Sequence, residues 1–287
     1  MAIRLITDSA SDILPQEAAE LGMVHLPLTV SFGDEEYIDS VTLTHKQFYE
    51  KLAASSVLPT TSQISPAAFS EAFRKIIDGG DVAVAIVLSS SLSGTYQSAC
   101  IAAGDFPGKA LVVDSQNVCI GQRLLVLRAL ELIREGLSPD ELVARLNWEK
   151  KFIRVMAVLD TLEYLKKGGR ISSATAFAGE LLSIKPVVAV KDGAVALVGK
   201  ARGSKNSGNL LRKLILEGNG VNYKRPYCVA YSGLSDEMLQ KYISDNADLW
   251  QTATRTLPIA TVGCAIGTHI GPGAIAVAFF EKVMKEV

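Results

Sequence analysis

Apolar residues in the first half of the chain recur as short β runs alternating with helical stretches. AIRLI (Ala2 to Ile6) predicts a strand, and Pro15 to Leu21 a helix stopped by Gly22. VHLPLTVSF (Val24 to Phe32) predicts a second β run. Thr44 and Gln47 form a capping box that opens a helix to about Ala54. Ser65-Pro66 starts another, which ends at Asp78 before Gly79-Gly80. VAVAIVL (Val82 to Leu88) has no polar face, as expected of a strand buried on both sides in a parallel sheet. A helix from Gly94 to Ala103, a strand from Ala110 to Asp114 and helices at Val118 to Arg134 and Pro139 to Glu149 follow, the last boxed by Ser138 and Glu141. This alternation predicts a three-layer α/β/α domain with a mainly parallel sheet.

After about residue 151 the pattern changes. Phe152 to Leu159 predicts a strand, with helices at Thr161 to Lys167 and Ser173 to Leu182. PVVAV, Lys191-Asp192-Gly193 and AVALVGK then spell a hairpin. A helix (Ser204 to Glu217), a strand (Tyr227 to Tyr231), a helix (Ser235 to Ala247) and two β runs (Thr256 to Val262, Ala274 to Phe280) close the chain. The second half is therefore expected to be an α/β domain with a mixed or antiparallel sheet. The expected domains are 1–155 and 156–287, with a ligand site between them. The sequence has no repeat and no low-complexity linker, so the boundary is a change of pattern rather than a flexible hinge.

Composition narrows the function classes. At 287 residues the chain is long enough for roughly two domains. With 48% hydrophobic and 21% charged residues it has ample material for a core. A net charge of −1 argues against a nucleic-acid partner, because phosphate neutralisation needs surplus Lys and Arg. Mean hydropathy is +0.25, yet the longest apolar runs fall far short of the ~18 residues of a spanning helix. No transmembrane segment is expected, and transient contact with a membrane surface is left open. The N-terminus has no secretory core, so a cytoplasmic location is expected. Cys100, Cys119, Cys228 and Cys264 form no CxxC pair and predict free thiols, with Cys100, Cys119 and Cys228 in apolar surroundings. His25, His45 and His269 lie far apart, so neither a metal nor a cofactor is expected.

The chemistry is expected at four segments rich in glycine and small hydroxyl residues: Thr7 to Asp12, Pro59 to Pro66, Leu88 to Ala99 and Gly267 to Gly273. Several follow predicted strands, where open α/β sheets bind ligands. Ser89 to Ser93 lead into a helix opened by Gly94, and hydroxyls beside a helix start cradle an anion. With few charges nearby, the anion expected is a carboxylate in a neutral site whose tail enters an apolar slot. His269, between Gly267 and Gly271, could donate a further hydrogen bond. There is no GxSxG elbow, P-loop or GxGxxG. Ser93 with His269, oriented by Asp8 or Asp114, could be drawn as nucleophile and base, but no nucleophile motif stands behind them. Lys166, Lys167 and Arg170, with Lys200, Arg202 and Lys205, read either as a solvated face or as a docking surface for an acidic partner or its nucleotide phosphates.

Taken together, ITDSASDI, PTTSQISP, SSSLSGTYQSA, VVDSQN, LEYLKKGGRIS with the following Lys185-Pro186, KARGSK and THIGPGAIAVAF resemble the DegV family, the bacterial fatty-acid-binding proteins also called FakB. The resemblance covers essentially the whole chain. It implies a two-domain α/β protein that holds one long-chain fatty acid and has no chemistry of its own. Such a protein presents the carboxylate to an ATP-dependent fatty acid kinase, which makes an acyl-phosphate for phospholipid synthesis. By this resemblance the carboxylate ligands are Thr61 with Ser62 beside it, Ser93 followed by Gly94, and His269. Thr60 is the adjacent alternative to Thr61, and Ile64 stands where many relatives carry proline. Arg170 and Arg202 match the family's arginines and are implied to meet the partner or its phosphate. The competing readings are a stand-alone enzyme on a small acyl or phosphoryl substrate and a lipid-sensing regulatory protein.

Overall fold

A computed structural model describes residues 1–171, 184–252 and 254–283; the expected helix from Ser173 to Leu182 lies outside them. The first half runs β1 (Ile3–Asp8), α1 (Pro15–Glu20), β2 (Val24–Leu26), β3 (Thr29–Phe32), β4 (Glu35–Ile38), α2 (His45–Ala54), β5 (Thr60–Ser62), α3 (Pro66–Asp78), β6 (Val82–Val87), α4 (Thr95–Ala103), β7 (Ala110–Asp114), α5 (Ile120–Arg134) and α6 (Pro139–Glu149). The second half runs β8 (Ile153–Val158), α7 (Glu163–Lys167), β9 (Ile184–Lys191), β10 (Ala194–Arg202), α8 (Gly203–Glu217), β11 (Tyr227–Tyr231), α9 (Glu237–Asp245), α10 (Ala247–Trp250), β12 (Ile259–Thr261), α11 (Cys264–Ile270) and β13 (Ile275–Phe280).

Both expected capping boxes form, Thr44 with Gln47 and Ser138 with Glu141. The fully buried β6 lies inside a parallel sheet of order β2-β1-β6-β7. The chain winds outward to β2 on one side of β1 and to β6 and β7 on the other. The β1/β6 seam is therefore the point where strand order reverses, and the carboxyl ends there are where such sheets bind ligands. The second half builds a mixed sheet of order β10-β9-β8-β13-β11-β12, in which only β11 and β12 run parallel. The sheet changes between α6 and β8, and the expected division at 155/156 falls inside β8.

One expectation of local structure fails, and one helix was not foreseen. The run Val24 to Phe32 is broken at Pro27, which has no N–H for a ladder. Leu28 N instead donates to Ser9 Oγ, and β3 joins β4 and β5 in a separate antiparallel sheet of order β4-β3-β5. Gly267 to Ile270 belong to the helix α11, an element that the sequence pattern did not mark. Gly267 is needed there because a methyl group would strike Phe48 and Tyr49 of α2.

Helix α5 packs against strands of both large sheets, including β1, β6, β8, β11 and β13. Its Leu124, Leu125, Val126 and Ala129 are buried in one apolar core with Val155, Ala157 and Phe280 of the second half. A second core lies on the far face of the mixed sheet, under α8, α9 and α10, around Leu211, Leu239 and Trp250. Arg128 of α5 (2% exposed) bonds to Glu149 of α6 (0% exposed) at 2.9 Å, and Arg145 also reaches Glu149. Arg128 also pairs with Glu131 and Glu135, so the buried charges belong to a network in which neither depends on a single partner. All four cysteines are free; Cys119, Cys228 and Cys264 are buried, whereas Cys100 is half-buried rather than in the core.

Candidate functional site

The site starts from Asp8, the last residue of β1. Its Oδ1 accepts from Ala10 N (2.9 Å) and folds Ser9–Ser11 into a turn of 3-10 helix. Its Oδ2 accepts from Leu88 N (2.8 Å), tying the ends of β1 and β6 together at the seam. Burial raises this carboxyl to about 6, against the amide bonds from Leu88 and Ala10 that favour its charge. Asp8 is thus a buried brace. Ala10 and Leu88, which it positions, face a cavity of about 160 Å³.

Each wall of that cavity has an identifiable support. Ser93 lies just before α4, where its Oγ accepts from Thr95 N (3.2 Å) and sits 3.0 Å from Thr95 Oγ1. Thr61 is paired with Val30 across β5 and β3, and its Oγ1 lies 3.0 Å from His269 Nε2. Thr60 is exposed and does not face the cavity. Helix α11 is held at its start by carboxylates: Gly263 N donates to Asp12 Oδ1 (2.8 Å), and Cys264 N and Ala265 N donate to Asp39 (3.2 and 3.1 Å). His269 comes from its last turn, and His269 Nδ1 is buried without a hydrogen-bond partner. Burial, assisted by the Arg170 guanidinium, lowers the imidazole to about 4, so it is neutral at pH 7.

The lining gathers Thr61, Ser62, Ser93, Gly94, Arg170 and His269 from both halves of the chain. Arg170 was expected at a partner surface, and it is found in the cavity wall. Its Nε donates to Leu92 O (3.2 Å) and its Nη1 to Gly168 O (2.6 Å). The site is therefore not free of charge: one guanidinium stands among uncharged donors. Arg202 is not brought there. It is exposed at the far end of β10 from the cavity-lining Val195, about 20 Å away at ~3.3 Å per residue. The drawn nucleophile set does not assemble, because His269 Nε2 bonds to Thr61, Asp8 to backbone amides and Asp114 to Ser90.

Sequence reasoning missed Gln63, Leu165, Val195 and Ile266 as lining residues. The spacing of Gln63 two residues after Thr61 on an extended segment was the signal that could have found it. Leu28, Leu88, Leu92, Val118 and Ile270 complete an apolar wall behind the polar cluster. The geometry suits an amphipathic molecule with a small acceptor-rich head and a hydrocarbon body. Among the described residues no group of His, Cys, Asp and Glu could hold a metal ion, and no helix is long and apolar enough to cross a membrane.

Comparison with known proteins covers nearly the whole chain. Residues 2–282 match the family model described as an uncharacterised protein, DegV family. A DegV domain-containing protein of Deinococcus radiodurans is 34% identical over 282 residues, 97% of this chain and 98% of the relative. A DegV family protein from Thermus thermophilus, described by its fatty acid binding, superposes with a TM-score of 0.84 at 34% identity, covering 98% of this chain and 100% of that one. A stearic acid-binding protein from Eubacterium ventriosum superposes equally well (TM-score 0.84, 26% identity, 98% and 99% coverage).

Proposed function

The chain belongs to the DegV family, and on that premise we propose that it binds a long-chain fatty acid and presents the carboxylate to an ATP-dependent fatty acid kinase. The observation that carries this reading is the Thr61–His269 pair at the polar end of an apolar-walled cavity. Thr61, Ser93 and a neutral His269 offer hydrogen bonds to a carboxylate, and Arg170 supplies the only cationic side chain in the described lining. The relatives from Thermus thermophilus and Eubacterium ventriosum support the choice of ligand class.

The division of labour follows from magnitudes. A tail of about 16 carbons would gain roughly 12 kcal/mol gross at ~0.8 kcal/mol per methylene if all of it were buried; the cavity of about 160 Å³ takes only part of it, so the apolar wall must yield to take the rest. Lost translational freedom and ordering offset a large part of that gain. Tail burial therefore dominates affinity, while the polar cluster fixes which end of the ligand sits at Ser93. The protein acts as a carrier with no bond-making step of its own, and domains either side of the cavity contribute its two walls. Arg202, outside the cavity, is the residue assigned to partner contact.

Extraction of the natively purified protein, followed by mass spectrometry, tests the ligand. A stoichiometric long-chain acid is expected; an empty protein that also fails to bind added acid would overturn the reading. Thr61→Ala with Ser93→Ala is expected to slow phosphorylation of the bound acid by the kinase more than it weakens tail binding, and full-rate phosphorylation would remove the carboxylate role from these hydroxyls.

A further inference from the structure

We infer that Gln63 is a positioning residue that sets the separation of the two hydroxyl-bearing walls of the cavity and so controls selectivity for a carboxylate head group. This rests on the fatty-acid reading above and goes beyond it by assigning head-group selectivity to a residue outside the proposed carboxylate ligands.

Strand β5, which carries Thr61, is an edge strand paired only with β3. Nothing in its own sheet holds its free side. Gln63, the first residue beyond the strand, reaches across to α4, where its Nε2 donates to Ser98 Oγ at 2.9 Å. Ser98 is buried one turn into the helix, and its own N–H donates to Gly94 O. The Gln63 amide lies directly against Gly94: a methyl group there would overlap Gln63 Oε1 and Cδ. Gly94 has φ −72° and ψ −1°, a conformation open to any residue. Its backbone angles do not call for glycine; the Gln63 amide occupies the space that a side chain there would take. Two side-chain features, a hydrogen bond and a missing Cβ, therefore fasten the Thr61 strand to the helix start that Ser93 precedes.

A head group held by both hydroxyls senses their separation, because polar recognition tolerates displacements of only about 0.5 Å. Tail burial is far less sensitive to it. Gln63 is itself exposed, so its loss removes the fastening while leaving the apolar core intact.

The test measures dissociation constants for a long-chain fatty acid and for the alcohol of equal chain length, with the thermal midpoint of the lipid-free protein. Gln63→Ala is expected to weaken the acid about tenfold, the scale of one hydrogen bond lost from a clamp, and the alcohol less than about twofold. Ser98→Ala should do the same, and the double variant should be no worse than either single, since both remove one fastening. The midpoint should move by no more than about 2 °C. Equal weakening of acid and alcohol would reduce Gln63 to a general structural role, and an unchanged acid affinity would remove it altogether; either overturns the inference. Thr61→Ala with Ser93→Ala is the reference. If that variant also keeps full preference for the acid, the reading of the cavity itself fails; if it loses preference while Gln63→Ala does not, only the Gln63 assignment fails.

Discussion

The two ends of α11 are built on opposite plans. At its start, three successive backbone amides, those of Gly263, Cys264 and Ala265, are taken by the buried carboxylates of Asp12 and Asp39. At its end, roughly 10 Å away at ~1.5 Å per residue, His269 keeps one hydrogen bond and one buried nitrogen with none. Buried polar groups are normally satisfied; Asp12 Oδ2 at the start also lacks a partner, but of the two residues only His269 lines the cavity. The difference teaches which acids are structural and which group is available: the aspartates hold the helix, and the imidazole faces the cavity.

The largest effect that could break this contrast is at the fixed end. Asp39→Ala strands two buried amides and is expected to destabilise the protein by about 3 kcal/mol in chemical denaturation. A loss below about 1 kcal/mol would show that the start of α11 needs no anchor. At the open end, His269→Ala should weaken fatty-acid binding about tenfold by calorimetric titration, while changing the stability of the lipid-free protein by less than about 1 kcal/mol.

Acidity separates the two ends by sign. Burial raises Asp12 to about 7 and Asp8 to about 6, from an ordinary 3.8. The stabilising contribution of proton uptake by these carboxyls is complete below about pH 4 and is lost as pH rises towards 7. His269, lowered from 6.5 to about 4, behaves oppositely: its contribution is present above about pH 6.5 and is lost as pH falls towards 4. Asp12→Asn should therefore remove a downward slope of stability with rising pH, and His269→Gln an upward one, each on the order of 1 kcal/mol per pH unit. Urea midpoints taken from pH 4.5 to pH 6.5 would measure both; slopes of the same sign would contradict the assignment. The smallest effect is expected at Arg202, where Arg202→Glu should leave acid affinity within about twofold and slow only transfer to the kinase.

Much of this was legible in the chain itself. The all-apolar Val82 to Leu88, both capping boxes and the Asp192-Gly193 hairpin turn read directly, because period and turn chemistry are local signals. Strands β4 and β5 did not. They are three or four residues long, largely polar and exposed, so no buried face marks them. Helix α11 was hidden by its glycine, whose purpose is contact with Phe48 and Tyr49 more than two hundred positions earlier. Thr61, Ser93 and His269 were nameable from their motifs, whereas the place of Arg170 in the cavity wall depends on its reach to Leu92, a contact across 78 positions. Arg170 and Arg202 looked alike as members of basic runs; the contacts of Arg170 and the length of β10 separate them.

The packing of α5 against both large sheets bears on how the proposed ligand would get in. A clam-shell protein opens by swinging two lobes about a hinge. Here the helix is gripped by strands of both lobes, and parting them would tear open a single shared interior. For the proposed ligand, entry would then proceed like a thread through a keyhole, by yielding of individual side chains and short segments at the rim while the shared interior stays closed.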